Sequence, residues 1–207
     1  HICLSVYSSG GFRQLGNATK PIHVPSDMKG LKWRTTKSPV EFMLVKNWGA
    51  TPTPYDWSQL YSGLQSGVVE GQYVASPWQH VAKLHEVAKY FTEIGGMWSG
   101  NILAMDAKQY NALSSQEKKW LHKAADAYGE KVNQLDNAWI KNGEDAIKAS
   151  AKEWYVPSEA EMSKWREGAI GAWLDAKGTF EPEVAKRVLL EQGMDGFVAQ
   201  LEKAGAL

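Results

Sequence analysis

The segment GLKWRTTKSPVEFMLVKNWGATPTPYDWSQLYSGLQSGVVEGQ, residues 30–72, alternates strand-like and helix-like runs. LKWRTT predicts a strand, and the run from Ser38 to Trp48 carries apolar residues at helical spacing. Pro52 and Pro54 exclude a helix interior because proline lacks the N–H that a helix needs, so ATPTP is expected to be extended. A helix from near Asp56 to Gly67 and the strand VVEGQYV follow. This alternation predicts an open α/β sheet flanked by helices.

The rest of the chain continues the same mixture of elements. Ile2–Tyr7 predicts a buried strand, and Ser8–Gly11 predicts a glycine-rich turn between domains. Pro77 predicts the start of a helix through WQHVAKLHEVA, since its missing N–H costs nothing there. Further strands are predicted at Tyr90–Ile94 and Asn101–Met105, and a short helix begins at Asp106.

A long helix is predicted from about Ser115 to Lys152. Ser114 and Glu117 form a capping-box pattern at its start. Its apolar residues recur at spacings of three and four, which predicts a stripe that faces the core. The stripe consists of Trp120, Ala124, Tyr128, Val132, Leu135 and Trp139. A second capping box, Ser158 with Glu161, predicts the start of the next helix.

Composition and motifs exclude several function classes. Lysine plus arginine is 23 and aspartate plus glutamate is 23, so a zero net charge argues against nucleic acid or an anionic membrane as the main partner. Cys3 is the single cysteine, so no intrachain disulfide forms. The sequence contains no run of 18 apolar residues, so no membrane-spanning helix is predicted. His80 and His85 are five residues apart, so a continuous helix would turn them to different faces. The zinc-binding motif H-E-x-x-H requires two histidines four residues apart, on the same face. No catalytic residue, metal site or cofactor is predicted.

Several strings in order resemble one protein family. DMKGLKWR, GATPTP and LYSGLQSGVVEGQ, with GFRQLGN before them and HEVAKYF after, resemble the substrate-binding proteins of TRAP (tripartite ATP-independent periplasmic) transporters, the DctP family. The resemblance runs from about Gly11 to the C-terminus and is most specific over Gly11–Phe91. It implies a two-lobed periplasmic-binding-protein-like α/β fold, with open mixed sheets and a long helix linking both lobes.

The resemblance also implies how the chain divides. Residues 1–10 and 99–139 are expected in the first lobe, and residues 11–98 and 140–207 in the second. Roughly the first third of a family chain, with any export signal, is expected to precede His1. The first lobe would then be incomplete, and its open strand edges are expected to be covered by another copy or an exchanged segment.

Arg34 is the central candidate for ligand binding. It lies near the carboxyl end of a predicted strand, where open α/β sheets bind ligands, and a guanidinium can grip a carboxylate through two parallel hydrogen bonds. The resemblance places Arg34 on the family's carboxylate-clamping arginine, and Arg13 on a second, supporting arginine. It places Trp57 where an aromatic ring meets the ligand. Lys37 and Ser38 follow the clamp and are expected to line the cleft.

Two departures from the family pattern bear on the ligand. Gln72 is the second residue of a Gly-Gln pair and is expected to contact the ligand. Two residues later the family often has an asparagine that hydrogen-bonds the ligand carboxylate, and here that position is Val74. The run Gly95–Trp98 replaces a polar residue near the last strand of the second lobe, and Trp98 is expected near the cleft. These losses of polar groups favour a monocarboxylate with an apolar or aromatic body.

The expected function is therefore capture of an organic acid in the periplasm and delivery to the membrane subunits of a transporter, without chemistry. Two alternatives stay open at this point. A ligand-sensing domain of a signalling system would have a similar sequence, and only its genetic neighbourhood would separate the two. An α/β enzyme acting on an organic acid would show turnover, or a nucleophile–base pair in the cleft.

Overall fold

The computed structural model describes all 207 residues, His1–Leu207. Seven strands and eight α-helices follow one another in the mixed order that the sequence predicted. The strands are β1 (Ile2–Asn17), β2 (Lys32–Thr35), β3 (Thr51–Pro54), β4 (Gly71–Ala75), β5 (Tyr90–Thr92), β6 (Trp98–Met105) and β7 (Glu153–Tyr155). The helices are α1 (Pro39–Asn47), α2 (Leu60–Ser66), α3 (Ser76–Val81), α4 (Ala107–Ala112), α5 (Ser115–Ser150), α6 (Glu159–Asp175), α7 (Pro182–Glu191) and α8 (Asp195–Ala204). Three short 3-10 turns lie at Pro25–Met28, Trp57–Gln59 and Leu84–Glu86. The predicted α/β class is confirmed.

The chain forms two compact units. The first unit consists of His1–Gln14, Val74–His85 and Gly95–Ser150, and the second consists of Leu15–Tyr73, Glu86–Ile94 and Ala151–Leu207. These bounds differ from those expected from the sequence, because all of α5 belongs to the first unit. The predicted division into lobes, with a long helix linking them, stays a prediction.

The sheet of the second unit is mixed and has the order β3-β2-β4-β1-β5-β7. β2 pairs in parallel with β3 and with β4, whereas β5 pairs antiparallel with the end of β1 and in parallel with β7. Trp33 opposes Gly71 across the β2–β4 pair, and the Trp33 side chain is fully buried. A Cβ at Gly71 would lie 2.2 Å from the Trp33 ring, so the ring needs glycine at that position.

The two helices predicted within residues 30–72 are present, and specific residues begin and end them. Ser38 is the N-cap of α1 and accepts a hydrogen bond from the Glu41 N–H, and Pro39 takes the first helical position. Gly49 follows the helix with φ 91°, and Gly67 ends α2 with φ 74°, in the left-handed region that glycine favours. The strand–helix–strand pattern predicted for residues 30–72 is therefore present.

The predicted turn at Ser8–Gly11 is wrong, because β1 runs through it. β1 pairs antiparallel with β6 in the first unit, and the register shifts between Ser8 and Gly11. Gly10 and Gly11 have φ values of 92° and 69°, so the glycines form a bulge inside the strand. The Gly10 N–H donates a 2.9 Å hydrogen bond to the buried Asp136 carboxylate on α5.

The predicted core stripe of the long helix is also wrong, although the helix itself is present. Most of the stripe is exposed, with Trp120 at 63% and Leu135 at 57%. The buried face of α5 consists instead of Ala125, Gly129, Asp136, Gly143 and Ile147. Small residues are needed there because a Cβ at Gly143 would lie 2.6 Å from the Pro77 Cα.

The helix predicted from Pro77 is shorter than expected. α3 ends at Val81, and Lys83 adopts φ 58°, a left-handed conformation that lysine rarely takes. The chain then enters the 3-10 turn Leu84–Glu86, in which the Leu84 side chain is fully buried. The helix therefore breaks where the burial of Leu84 outweighs helix propensity.

Candidate ligand-binding site

Arg34 lies in β2, next to the strand's carboxyl end. Both neighbouring strands, β3 and β4, run parallel to β2, and Arg34 opposes Thr53 in the ladder. The Arg34 residue is only 5% exposed. A buried guanidinium at the carboxyl edge of parallel strands matches the position where open α/β sheets bind ligands.

Two neighbours orient the Arg34 guanidinium. Its Nε donates a 3.0 Å hydrogen bond to the main-chain carbonyl of Tyr55. Its Cζ lies 5.8 Å from the centre of the Trp57 ring, within range of a cation–π interaction. Trp57 is 41% exposed, so part of its surface is open to solvent. The structure thus places Arg34 next to Trp57, another of the predicted site residues.

The turn after β2 is fixed by a buried glutamate that the sequence analysis missed. The Thr36 N–H and hydroxyl both donate to the Glu41 carboxylate, which belongs to a residue only 2% exposed. The predicted site residue Ser38 accepts from the Glu41 N–H at 3.5 Å. Ser38 and Glu41 have the spacing of a capping box, which is the signal that could have identified Glu41.

Lys37 lies at the surface of this turn. Its Nζ is 3.9 Å from Asp56 Oδ1, and the two side chains are 88% and 68% exposed. An ion pair in this much solvent contributes little to stability. Lys37 is therefore an exposed neighbour of the Arg34 turn.

Gln72 and Thr35 are both completely buried in the second unit. Because Trp33 opposes Gly71, Gln72 lies beside Arg34 on the adjacent strand, on the same face of the sheet. The Thr35 hydroxyl has no hydrogen-bond partner. Thr35 was not predicted, since a threonine inside a strand carries no sequence signal for a polar site.

Arg13, Val74 and Trp98 belong to the first unit. The Arg13 N–H donates a 2.8 Å hydrogen bond to the Met97 carbonyl. Trp98 pairs with Phe12 in the β1–β6 ladder and is 46% exposed. Arg13 and Trp98 therefore lie on adjacent strands of this unit.

Val74 contacts a glutamine network that the sequence gave no reason to expect. The buried Gln79 amide donates to the Val74 carbonyl at 2.7 Å and to the Gln14 carbonyl at 3.2 Å. The Gln14 side chain accepts from the Gly95 N–H at 3.1 Å. These bonds fix the backbone around Val74, a residue that is 6% exposed.

Two surface depressions lie along α5, with volumes of about 600 and 270 Å³. The larger is lined by α5 alone, and the smaller by β1, β6 and α5. Neither is lined by a predicted site residue, so the buried Arg34 remains the centre of the candidate site. The structure contains no cluster of three or more His, Cys, Asp or Glu side chains arranged for a metal. None of its helices has both the length and the apolar character needed to cross a bilayer.

Comparison with known proteins identifies relatives of the chain. Residues 1–178 match the family described as bacterial extracellular solute-binding protein, family 7 (DctP). The ectoine-binding periplasmic protein TeaA of Halomonas elongata is 29% identical over 150 residues, which cover 72% of this chain and 43% of TeaA. The 2,3-diketo-L-gulonate-binding periplasmic protein YiaO of Escherichia coli is 28% identical over 129 residues, or 62% of this chain and 39% of YiaO.

Solved structures agree with this assignment. A high-resolution structure of the periplasmic ectoine-binding protein from the TeaABC TRAP transporter of Halomonas elongata has a TM-score of 0.77 and 26% identity, covering 97% of this chain and 64% of that one. A TRAP periplasmic solute-binding protein of Shewanella oneidensis with bound succinate shares the fold at a TM-score of 0.82 and 21% identity, covering 97% and 62%. The chain spans less than half the length of these curated relatives. The chain belongs to family 7 of the bacterial extracellular solute-binding proteins, the family of the TRAP-transporter substrate-binding proteins.

Proposed function

We propose that the chain is part of a periplasmic protein that captures an organic acid and delivers it to the membrane subunits of a TRAP transporter. Arg34 would contact the carboxylate of the acid. The observation that carries this proposal is an arginine only 5% exposed at the carboxyl edge of parallel strands. Burying a guanidinium carries a desolvation cost, which an anionic ligand at this edge of the sheet would help to offset.

The neighbours of Arg34 support this role. A hydrogen bond to Tyr55 at Nε fixes the plane of the guanidinium, and the Trp57 ring lies along its side. A planar fork that is held in one orientation can bind a carboxylate through two parallel hydrogen bonds. The half-exposed Trp57 ring would then contact the body of the acid.

The names of the relatives support an acid as the ligand. YiaO is a 2,3-diketo-L-gulonate-binding protein, and the Shewanella oneidensis protein was crystallised with succinate. Both molecules are carboxylates and differ in their remaining groups. An arginine that binds the carboxylate would serve both ligands, while other residues would contact the groups that differ. Arg34 is suited to the first of these roles.

We extend the proposal to the body of the ligand, which we infer to be apolar or aromatic. Val74 stands where the family resemblance leads us to expect an asparagine, and valine offers no amide donor there. Trp57 offers an aromatic surface next to Arg34. Arg13, Lys37, Ser38, Gln72 and Trp98 remain predicted contacts of the same ligand.

Thermal-shift screening of the full-length protein, followed by calorimetry, tests this function. The panel contains succinate, D-glucuronate, pyruvate, 4-methyl-2-oxopentanoate and phenylpyruvate, with the matching amides as uncharged controls. A ligand that binds only the folded state raises the melting temperature, so at least one acid should do so while its amide does not. A preference for the 2-oxo acids over glucuronate would support the apolar ligand, and the reverse order would contradict it. Failure of every acid would contradict the whole proposal.

A further inference from the structure

His80 and His85 form a close pair of imidazole rings in the first unit. Their ring centres lie 5.1 Å apart, and the ring planes are inclined by 49°. His80 is exposed and His85 is half-buried, so the pair lies at the surface. A continuous helix would have turned these residues to different faces, and the break after Val81 is what brings them together.

The backbone on both sides of the pair is well fixed. The Ala82 N–H donates to the Trp78 and His80 carbonyls and closes the last turn of α3. Lys83 has φ 58°, and the fully buried Leu84 then anchors the 3-10 turn. A left-handed lysine is an unfavourable conformation, and it persists only where surrounding contacts enforce it.

The ring separation is one that a shared metal ion produces when a nitrogen of each ring faces the ion. Zinc binds histidine nitrogen at about 2.0–2.1 Å, and that nitrogen lies about 1.2 Å from the ring centre. Two rings on one tetrahedral ion therefore have centres about 5.2 Å apart. The observed 5.1 Å agrees with this value.

We propose that His80 and His85 bind one divalent transition-metal ion of the zinc class. Imidazole ligands favour zinc, copper and nickel over calcium and magnesium, which prefer oxygen. With two protein ligands, water or an exogenous ligand completes the coordination, so the ion exchanges readily. The bound ion links the end of α3 to the turn that follows, and it stabilises the fold to the extent that only the folded chain presents both rings.

Calorimetric titration of the tag-free, chelator-treated protein with zinc chloride tests the site. The parent should bind one equivalent with an affinity that His80→Ala and His85→Gln each weaken at least about tenfold, because either change removes a ligand. His1→Ala and His122→Ala are controls and should bind as the parent does, and magnesium chloride should give no binding heat.

Imidazole NMR signals provide a readout that does not depend on affinity. Sub-stoichiometric zinc should perturb the signals of His80 and His85 together, and should leave those of His23 and His122 unchanged. The proposal is overturned if the parent takes up no zinc, or if only one of His80→Ala and His85→Gln alters the affinity. His80 is exposed, so its replacement decides the matter even if the His85 variant does not fold.

Discussion

The Nε of Arg34 donates a 3.0 Å hydrogen bond to the main-chain carbonyl of Tyr55. The Tyr55 N–H in turn donates to the Thr35 carbonyl at 3.1 Å, which extends the β2–β3 ladder by one residue. The guanidinium is thus oriented by backbone that the sheet itself holds in place. The orientation depends on the register of β2, so changes that disturb β2 should disturb the site as well.

Gly71→Ala should destabilise the second unit. The added Cβ would lie 2.2 Å from the buried Trp33 ring, which cannot move without disturbing β2. Overpacking of this kind costs roughly 1–3 kcal/mol in the free energy of unfolding, measured by urea denaturation. Gly196→Ala in α8 is the matched control, since nothing lies within 4 Å of its Cβ position. Equal stability of the two variants would contradict the close packing of Trp33 on Gly71.

Gly143→Ala should destabilise the first unit. Its Cβ would lie 2.6 Å from the Pro77 Cα and 2.7 Å from the Pro77 nitrogen, and backbone atoms cannot rotate away. Alanine favours an isolated helix over glycine by about 1 kcal/mol, so a loss of stability would show that packing outweighs helix propensity. The midpoint of urea denaturation shows whether stability rises or falls. A midpoint above that of the parent would mean that α5 and α3 do not approach as closely as the 2.6 Å contact requires.

Thr35→Val and Thr92→Val should change stability in opposite directions. The buried Thr35 hydroxyl lacks a hydrogen bond, so its removal should raise the free energy of unfolding by about 1 kcal/mol. The buried Thr92 hydroxyl donates to the Ile22 carbonyl, so its removal should cost about the same amount. Urea denaturation of both variants and the parent, measured under the same conditions, would give the two changes in the free energy of unfolding. A loss of stability in Thr35→Val would indicate that its hydroxyl is satisfied in solution.

Glu161→Gln should reduce stability at neutral pH and lose that effect in acid. Hydrogen bonds from the Ser158 hydroxyl and N–H, and then from Tyr155, lower the pKa of Glu161 from 4.5 to about 2. A carboxylate with a lowered pKa contributes stability above its unfolded pKa, and that contribution is lost as the pH falls toward 2. Melting temperatures of parent and variant should therefore differ at pH 7 and converge between pH 4.5 and 2. The exposed Glu167→Gln, on the same helix, should track the parent throughout.

The sequence predicted the second unit best because its signals there are local. Ser38, Gly49 and Gly67 end or begin helices through their own conformational preferences, and all three do so in the structure. Glu161 likewise forms its capping box with Ser158. Local signals predicted less of the candidate site. The position of Arg34 in a predicted strand suggested that it could bind a ligand, but only the family resemblance assigned it to a carboxylate.

The errors arose where tertiary packing decides the outcome. The periodicity of α5 identified the helix, yet Trp120 and Leu135 are exposed because the buried face needs glycine and alanine for close approach. Gly10 and Gly11 form a bulge within β1, although pairs of glycines usually indicate turns. The Gln79 network around Val74 depends on contacts distant in sequence, which no local pattern encodes.

Arg34→Lys separates charge from geometry at the candidate site. Lysine keeps the positive charge but lacks the planar fork that two parallel hydrogen bonds to a carboxylate require. We expect weaker binding of the acid selected by the thermal-shift panel, and a smaller loss than for alanine. Lysine binding as tightly as arginine would mean that charge alone is recognised. The dissociation constant from calorimetry gives the comparison.

The dissociation constant of Arg34→Ala for the same acid tests the account most directly. Removing one partner of a buried charge pair costs roughly 2–5 kcal/mol, because the other charge stays unpaired. Binding should therefore weaken by roughly thirtyfold to several thousandfold. Lys46→Ala removes the same charge from an exposed position in α1 and should bind as the parent does. An Arg34→Ala constant within about threefold of the parent value, a change below about 1 kcal/mol, would contradict the assignment of Arg34 as the carboxylate contact.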